Sequence, residues 1–237
     1  MPEFEKTFYV QESWGRLATL THLYAEMAED AYERYLGEMD NRIPTPLVDE
    51  DPTDRMDQDD RLAKLGVQAI VFTAMALEAG VFDLAAINLG DELASGHLDK
   101  LTLEGKWHVV PELICGRSMR KEGPALNNLH SLVQARNRLI HHKSKAMPYG
   151  DELALAAAVD AANKSSNQFR QDVLLSFKTL VLISLELHEL IGGSTPFPKF
   201  SKEYHKLNPH VTRSKYISRT LEKCWETYRK ASQSPAY

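Results

Sequence analysis

Cysteine, alternating β-branched runs and long uncharged apolar stretches are all scarce in this chain, and each scarcity removes a class of protein. Only 2 cysteines occur in 237 residues, Cys115 and Cys224, far apart in sequence. They offer neither a disulfide framework nor a clustered metal site, so the expected compartment is the reducing cytoplasm. The segment Met1 to Gln11 carries Glu3 and Glu5 and no apolar run, unlike a secretory signal. The segment that reads as most apolar, Val173 to Leu187, is interrupted by Lys178 and Glu186 and is too short for a membrane span. A soluble, cytoplasmic protein without a membrane partner is expected. Ala, Leu, Glu, Lys and Gln dominate the periodic segments, which argues for an all-α fold.

The net charge of −5 conceals an asymmetry. Residues 1–60 hold 16 acidic and 5 basic side chains, net −11, whereas residues 195–237 hold 9 basic and 3 acidic, net +6. The basic C-terminal segment can bind phosphates, or it can dock on the acidic N-terminal region of its own chain or of a second copy.

Punctuation residues divide the chain into an N-terminal helix (1–40), an acidic linker (41–60), a helical bundle core (61–192) and a basic C-terminal extension with a terminal helix (193–237). Ser13 is placed to cap a first helix reaching about Leu36, with Gly37 ending it. Pro44, Pro46, Pro52 and seven carboxylates from Asp49 to Asp60 read as a solvated connector, without the glycine and ligand spacing of a calcium loop. A second helix is expected over Asp60–Asn88, stopping near Gly90. Short pieces follow around Leu98–Gly105 and Val109–Cys115, with Pro111 near the start of the latter. Pro124 opens a helix ending near Lys143. A long periodic region runs from Asp151 to Ile191, weakened around Asn163–Asn167 and stopped at Gly192-Gly193. A last helix is expected near Arg213–Lys230. The architecture implied is an up-and-down helical bundle with additional N- and C-terminal helices.

Two charges sit where the pattern is apolar. Counting about 100° per residue, Leu126, Leu129, Leu132, Val133, Leu139 and Ile140 share a face with Arg136 near its centre. Val67, Ile70, Val71, Ala74, Val81, Phe82 and Ala85 form a second stripe with Glu78 near its centre. Burying either charge alone costs several kcal/mol, so the sequence predicts that Glu78 and Arg136 pair in the interior. The alternative places Arg136 at the stripe edge and Glu78 against solvent or a bound chain. Beside the stripe, His130, Asn137 and His141 fall within about 40° on the helical wheel. Asn137 and His141 are an i, i+4 pair in which the amide can fix an imidazole tautomer, leaving the other nitrogen to exchange a proton near neutral pH. His142 is the competing histidine. Cys115 and Trp107 read as core residues, and His97 and His108 lack the spacing of a helical metal pair.

The Arg-Asn-x-x-x-His pattern of Arg136, Asn137 and His141, on the third main helix of the expected bundle, resembles the signature of the HEPN superfamily. The run Asp99-Lys100-Leu101, Lys106-Trp107, Pro111, Gly116, Leu129 and Leu132 is similar to an uncharacterised branch of it, and the resemblance covers roughly residues 60–190. It implies a metal-independent endoribonuclease acting as a homodimer, with no cofactor, often found in toxin–antitoxin or defence settings with an antitoxin partner. Arg136 would then hold the scissile phosphate of RNA, His141 would transfer a proton at the 2′-hydroxyl, Asn137 would orient the histidine or the phosphate, and Glu78 would fix Arg136 from behind. Where related toxins modified by a nucleotidyltransferase carry a Tyr two residues after the His, this chain has Lys143. Some members of the superfamily cleave nothing, so a noncatalytic binding or dimerisation module is the alternative.

Overall fold

The computed structural model describes residues 16, 19–44, 51–144, 146, 148, 151–192, 195–208 and 212–233. Ser13, the expected cap of the first helix, lies outside them, as does Gly193. The fold is all-α, with no strand among the described residues. The helices are α1 (Thr21–Asp40), α2 (Thr53–Leu89), α3 (Asp91–Gly96), α4 (Leu103–Cys115), α5 (Pro124–Ile140), α6 (Glu152–Ile191), α7 (Lys202–Leu207) and α8 (Lys215–Gln233), with a 3-10 turn at Leu98–Lys100.

Local chemistry explains most boundaries. Pro124 occupies the first turn of α5, where its missing N–H costs nothing. The Asp151 carboxylate accepts from the Ala154 N–H at 3.0 Å and starts α6. Gly192, at φ 68°, stops it. α6 runs unbroken through Asn163–Asn167, because those polar side chains face water and disturb no packed neighbour. The first helix passes through Gly37 to Asp40, and α2 starts at Thr53 rather than Asp60, shortening the acidic connector. Asp51 accepts from the Thr53 N–H at 2.9 Å and its hydroxyl at 2.6 Å, and carboxylates early in a helix suit its dipole. Pro111 lies inside α4, which begins at Leu103 under a Thr102 cap, instead of opening a separate helix.

The helices stack as an up-and-down bundle. α1 and α2 are antiparallel: Thr21 donates to Asp83 at 2.9 Å at one end, while Gln58 donates to the Asn41 carbonyl at 3.0 Å at the other. α2 and α6 approach at Gly66, where an added Cβ would lie 2.6 Å from the Phe169 ring and 2.8 Å from Val173. α5 runs antiparallel to α6, tied by Arg138–Asp172 at 2.7 Å, and the loop before α5 is tied by the Arg120 N–H donating to Glu186 at 2.6 Å. α8 closes the bundle over α6 and α1. The core contains Trp107 edge-on to Phe197 at 5.3 Å and Phe177 between Tyr32 and Phe200 at 5.4 and 5.7 Å. Trp107 is the core anchor its sequence context suggests.

The helix most apolar over a membrane-length window is α2, not the Val173–Leu187 segment; that window is 61% buried by its neighbours in the bundle. Cys224, not Cys115, is the core cysteine. Burial raises the Cys224 thiol to about 12, against a small opposing effect of Lys178. The first half of α6, from Glu152 to Gln171, extends past the end of α5 with little cover, leaving Leu153 85% exposed.

Candidate functional site

α5 places its charged residues by simple rotation. Ala125, Leu129 and Leu132 bury its first turns, and Ala135 with half-buried Leu139 anchors its last ones. Arg138 points to α6 and meets Asp172, which also accepts from the Gln168 amide at 2.9 Å. Two residues of helix turn the azimuth by about 200°, so Arg136 points away from α6. It is exposed, as are Asn137, His141 and His142.

The predicted Glu78–Arg136 pair does not form. Gly66 of α2 touches Val173, the neighbour of Asp172, so the α5 C-terminus lies near the level of Gly66. Glu78 is a further twelve residues on, about 18 Å along the helix axis. Glu78 instead accepts from Lys106, whose ammonium also donates to Asp99 at 2.7 Å. Lys106 is thus the cation taken into the core, its head held by two half-exposed carboxylates. Its pKa is the outcome of burial, which lowers it, outweighed by those two partners, which raise it. The sequence carried a signal for this in the placement of Lys106 directly before the core Trp107 and three residues after Leu103.

His130 also takes a different part. Two turns before Asn137, its Nδ1 lies 3.4 Å from Glu104 and its Nε2 2.8 Å from the Gln134 amide, so it is engaged with α4 and its own helix. The Asn137 side chain does not bond to His141 among the described residues; the contact between them is the His141 N–H donating to the Asn137 carbonyl at 2.9 Å, which closes α5. His141 and His142 therefore follow the last helical turn and lie in the exposed segment leading to Lys143 and Ser144.

Arg136 and Asn137 in the last turn of α5, and His141 and His142 directly after it, are all exposed to solvent, with Ile140 56% exposed among them. Arg136 makes no ion pair among the described residues, in contrast to Arg138 two positions on. A guanidinium fork in no ion pair among the described residues can donate two parallel hydrogen bonds to a phosphate, and an exposed imidazole can serve as a general acid or base. Among the described residues no group of three or more His, Cys, Asp or Glu side chains is placed to hold a metal ion. Comparison with protein families, with curated proteins and with solved structures finds no match to this chain.

Proposed function

We propose that the chain is a metal-independent endoribonuclease of HEPN type acting as a homodimer, with the α5 C-terminus as its active centre. The observation that carries this reading is the exposure of Arg136, Asn137, His141 and His142 at one helix end, with the Arg136 guanidinium in no ion pair among the described residues. Arg136 binds the scissile phosphate bidentately and stabilises the charge that develops on it. His141 removes the proton from the 2′-hydroxyl. The 2′-oxygen attacks phosphorus as the bond to the 5′-oxygen breaks, and a second imidazole supplies the proton to that leaving oxygen. The product is a 2′,3′-cyclic phosphate. Asn137 orients the phosphate. Glu78 and His130, being engaged with α4, lie outside the centre.

A single copy presents these groups to open water. Association of two copies through this end would bring two sets of Arg and His onto one strand and bury Ile140 together with Leu155 and Val159 of the uncovered half of α6. A toxin or antiviral defence effector restrained by a partner protein is the setting this activity fits. The test is cleavage of single-stranded RNA in excess EDTA, with the 5′ fragment analysed for a cyclic phosphate. An RNA whose 2′-hydroxyls are replaced by hydrogen should resist.

A noncatalytic RNA-binding or dimerisation module is the second reading. The lack, among the described residues, of any side chain fixing Arg136 or His141 favours it. RNA binding without strand scission in the same assay would select it.

A further inference from the structure

A second cluster of cations, in no ion pair among the described residues, lies on the other side of α6, where three helix faces converge on a cavity of about 310 Å³. α6 contributes Arg170 and Lys178, two turns apart, with Leu174 between them; α8 contributes Arg219 and Lys223, one turn apart. α1 supplies an apolar wall from Leu36 and Met39 and the one carboxylate, Asp40. Asp40 is already engaged by Lys215 at 3.6 Å.

The basic C-terminal segment thus divides its charge. Arg213 pairs with Glu29 at 2.8 Å, and Lys215 with Asp40, docking α8 on acidic positions of α1. Arg219 and Lys223 take no part in that docking. Neither they nor Arg170 and Lys178 form an ion pair among the described residues. Lys178 is pushed below the ordinary lysine range chiefly by burial; the Cys224 thiol opposes this, and the Lys223 charge adds to it to a lesser degree. Four cations facing one occupied carboxylate repel one another, and an anion bound between them removes that cost.

We propose that this cavity between α1, α6 and α8 is a binding site for a compact oligophosphate, either free pyrophosphate or the phosphate chain of a nucleotide. The cavity is at the small end of the range for ligand sites. It is bounded by three helices instead of running as a stripe along one surface, which suits a small polyanion better than a nucleic-acid strand. Arg170 and Arg219 supply forked donors and the two lysines supply point charges. The proposal does not rest on the nuclease reading, since none of its residues belongs to the α5 centre.

Calorimetric titration of the full chain with sodium pyrophosphate, ATP and adenosine, at roughly 0.1 M salt, tests it. Pyrophosphate and ATP should each bind saturably at one site and compete with one another, and adenosine should not bind. Arg219→Gln and Lys223→Gln should each weaken pyrophosphate binding about tenfold. Both residues are exposed, so the ligand-free melting temperature should hold or rise as repulsion falls. Arg229→Gln, on another face of α8, should change nothing. Adenosine binding as well as ATP would overturn the proposal. So would non-saturable heats alone, or an Arg219→Gln/Lys223→Gln double variant that binds like the parent. Single-stranded RNA held by these four cations and not displaced by pyrophosphate would also overturn it, assigning the cluster to nucleic acid.

Discussion

Arg136 and Arg138 differ by two positions on one helix, yet their removal should have opposite consequences. The Asp172 side chain is only 10% exposed and has two partners, Arg138 and Gln168. Arg138→Ala leaves that carboxylate with the Gln168 amide alone. Breaking a buried pair costs about 3–5 kcal/mol, but the Arg138 side chain is 48% exposed, so water enters the vacated space and replaces part of the interaction. A cost of about 1–2 kcal/mol follows, equivalent to a fall in melting temperature of about 2–8 °C for a chain of this length. Arg136→Ala removes an exposed side chain with no ion-pair partner among the described residues and should stay within about 0.5 kcal/mol of the parent. Urea denaturation followed by circular dichroism at 222 nm measures both. If Arg136→Ala proved as destabilising as Arg138→Ala, the placement of Arg136 on the open side of α5 would be refuted.

Three further outcomes follow from the charges and thiols. Lys106→Met keeps the buried stem but removes two charged hydrogen bonds to half-exposed carboxylates; it should cost about 1–3 kcal/mol, and Glu78→Gln less, because Asp99 remains, as denaturation midpoints will show. Burial holds the Glu186 carboxyl above its ordinary value against the pull of Arg120. Its folded pKa exceeds its unfolded one, so its stabilising effect is complete below about pH 4.5 and fades as pH rises through the folded pKa; Glu186→Gln should flatten that part of the stability profile measured from pH 4 to 8. With its thiol near 12, Cys224 should resist iodoacetamide at pH 8 until the chain unfolds, while mass spectrometry finds half-buried Cys115 modified in the native state.

The long helices were legible because their signals are local. Pro124 at the start of α5, Asp151 before α6 and Gly192 after it each act on the nearest turn. The apolar spacing of α6 is long enough to outweigh the polar residues at 163–167. At the start of α2 the Asp51 carboxylate accepts from the Thr53 N–H and hydroxyl, and a run of carboxylates hid that position. The charged pair failed for a different reason. Periodicity gives the azimuth of a side chain around its helix and says nothing of its height against a neighbour, so Glu78 and Arg136 each read as central to a stripe although they lie at different levels of the bundle. Near the end of α5 the stripe also loses cover, and Arg136 faces water where Leu129, two turns earlier on nearly the same azimuth, is buried. The α5 motif itself is contiguous and could be found from sequence. The cation cluster of Arg170, Lys178, Arg219 and Lys223 could not, because α8 reaches α6 only through the tertiary fold.

The central claim is that His141 and Arg136 act on RNA at the end of α5, and the most direct measurement is the single-turnover cleavage rate of single-stranded RNA in excess EDTA for the parent and four variants. His141→Ala should lower the rate about 10²–10⁴-fold, and His142→Ala should lower it less. Arg136→Ala should abolish most activity while the urea midpoint stays at the parental value, and Arg136→Lys should recover little of it, because an ammonium lacks the bidentate fork. Cleavage that requires added magnesium, or that persists at the parental rate in both histidine variants, would contradict the account.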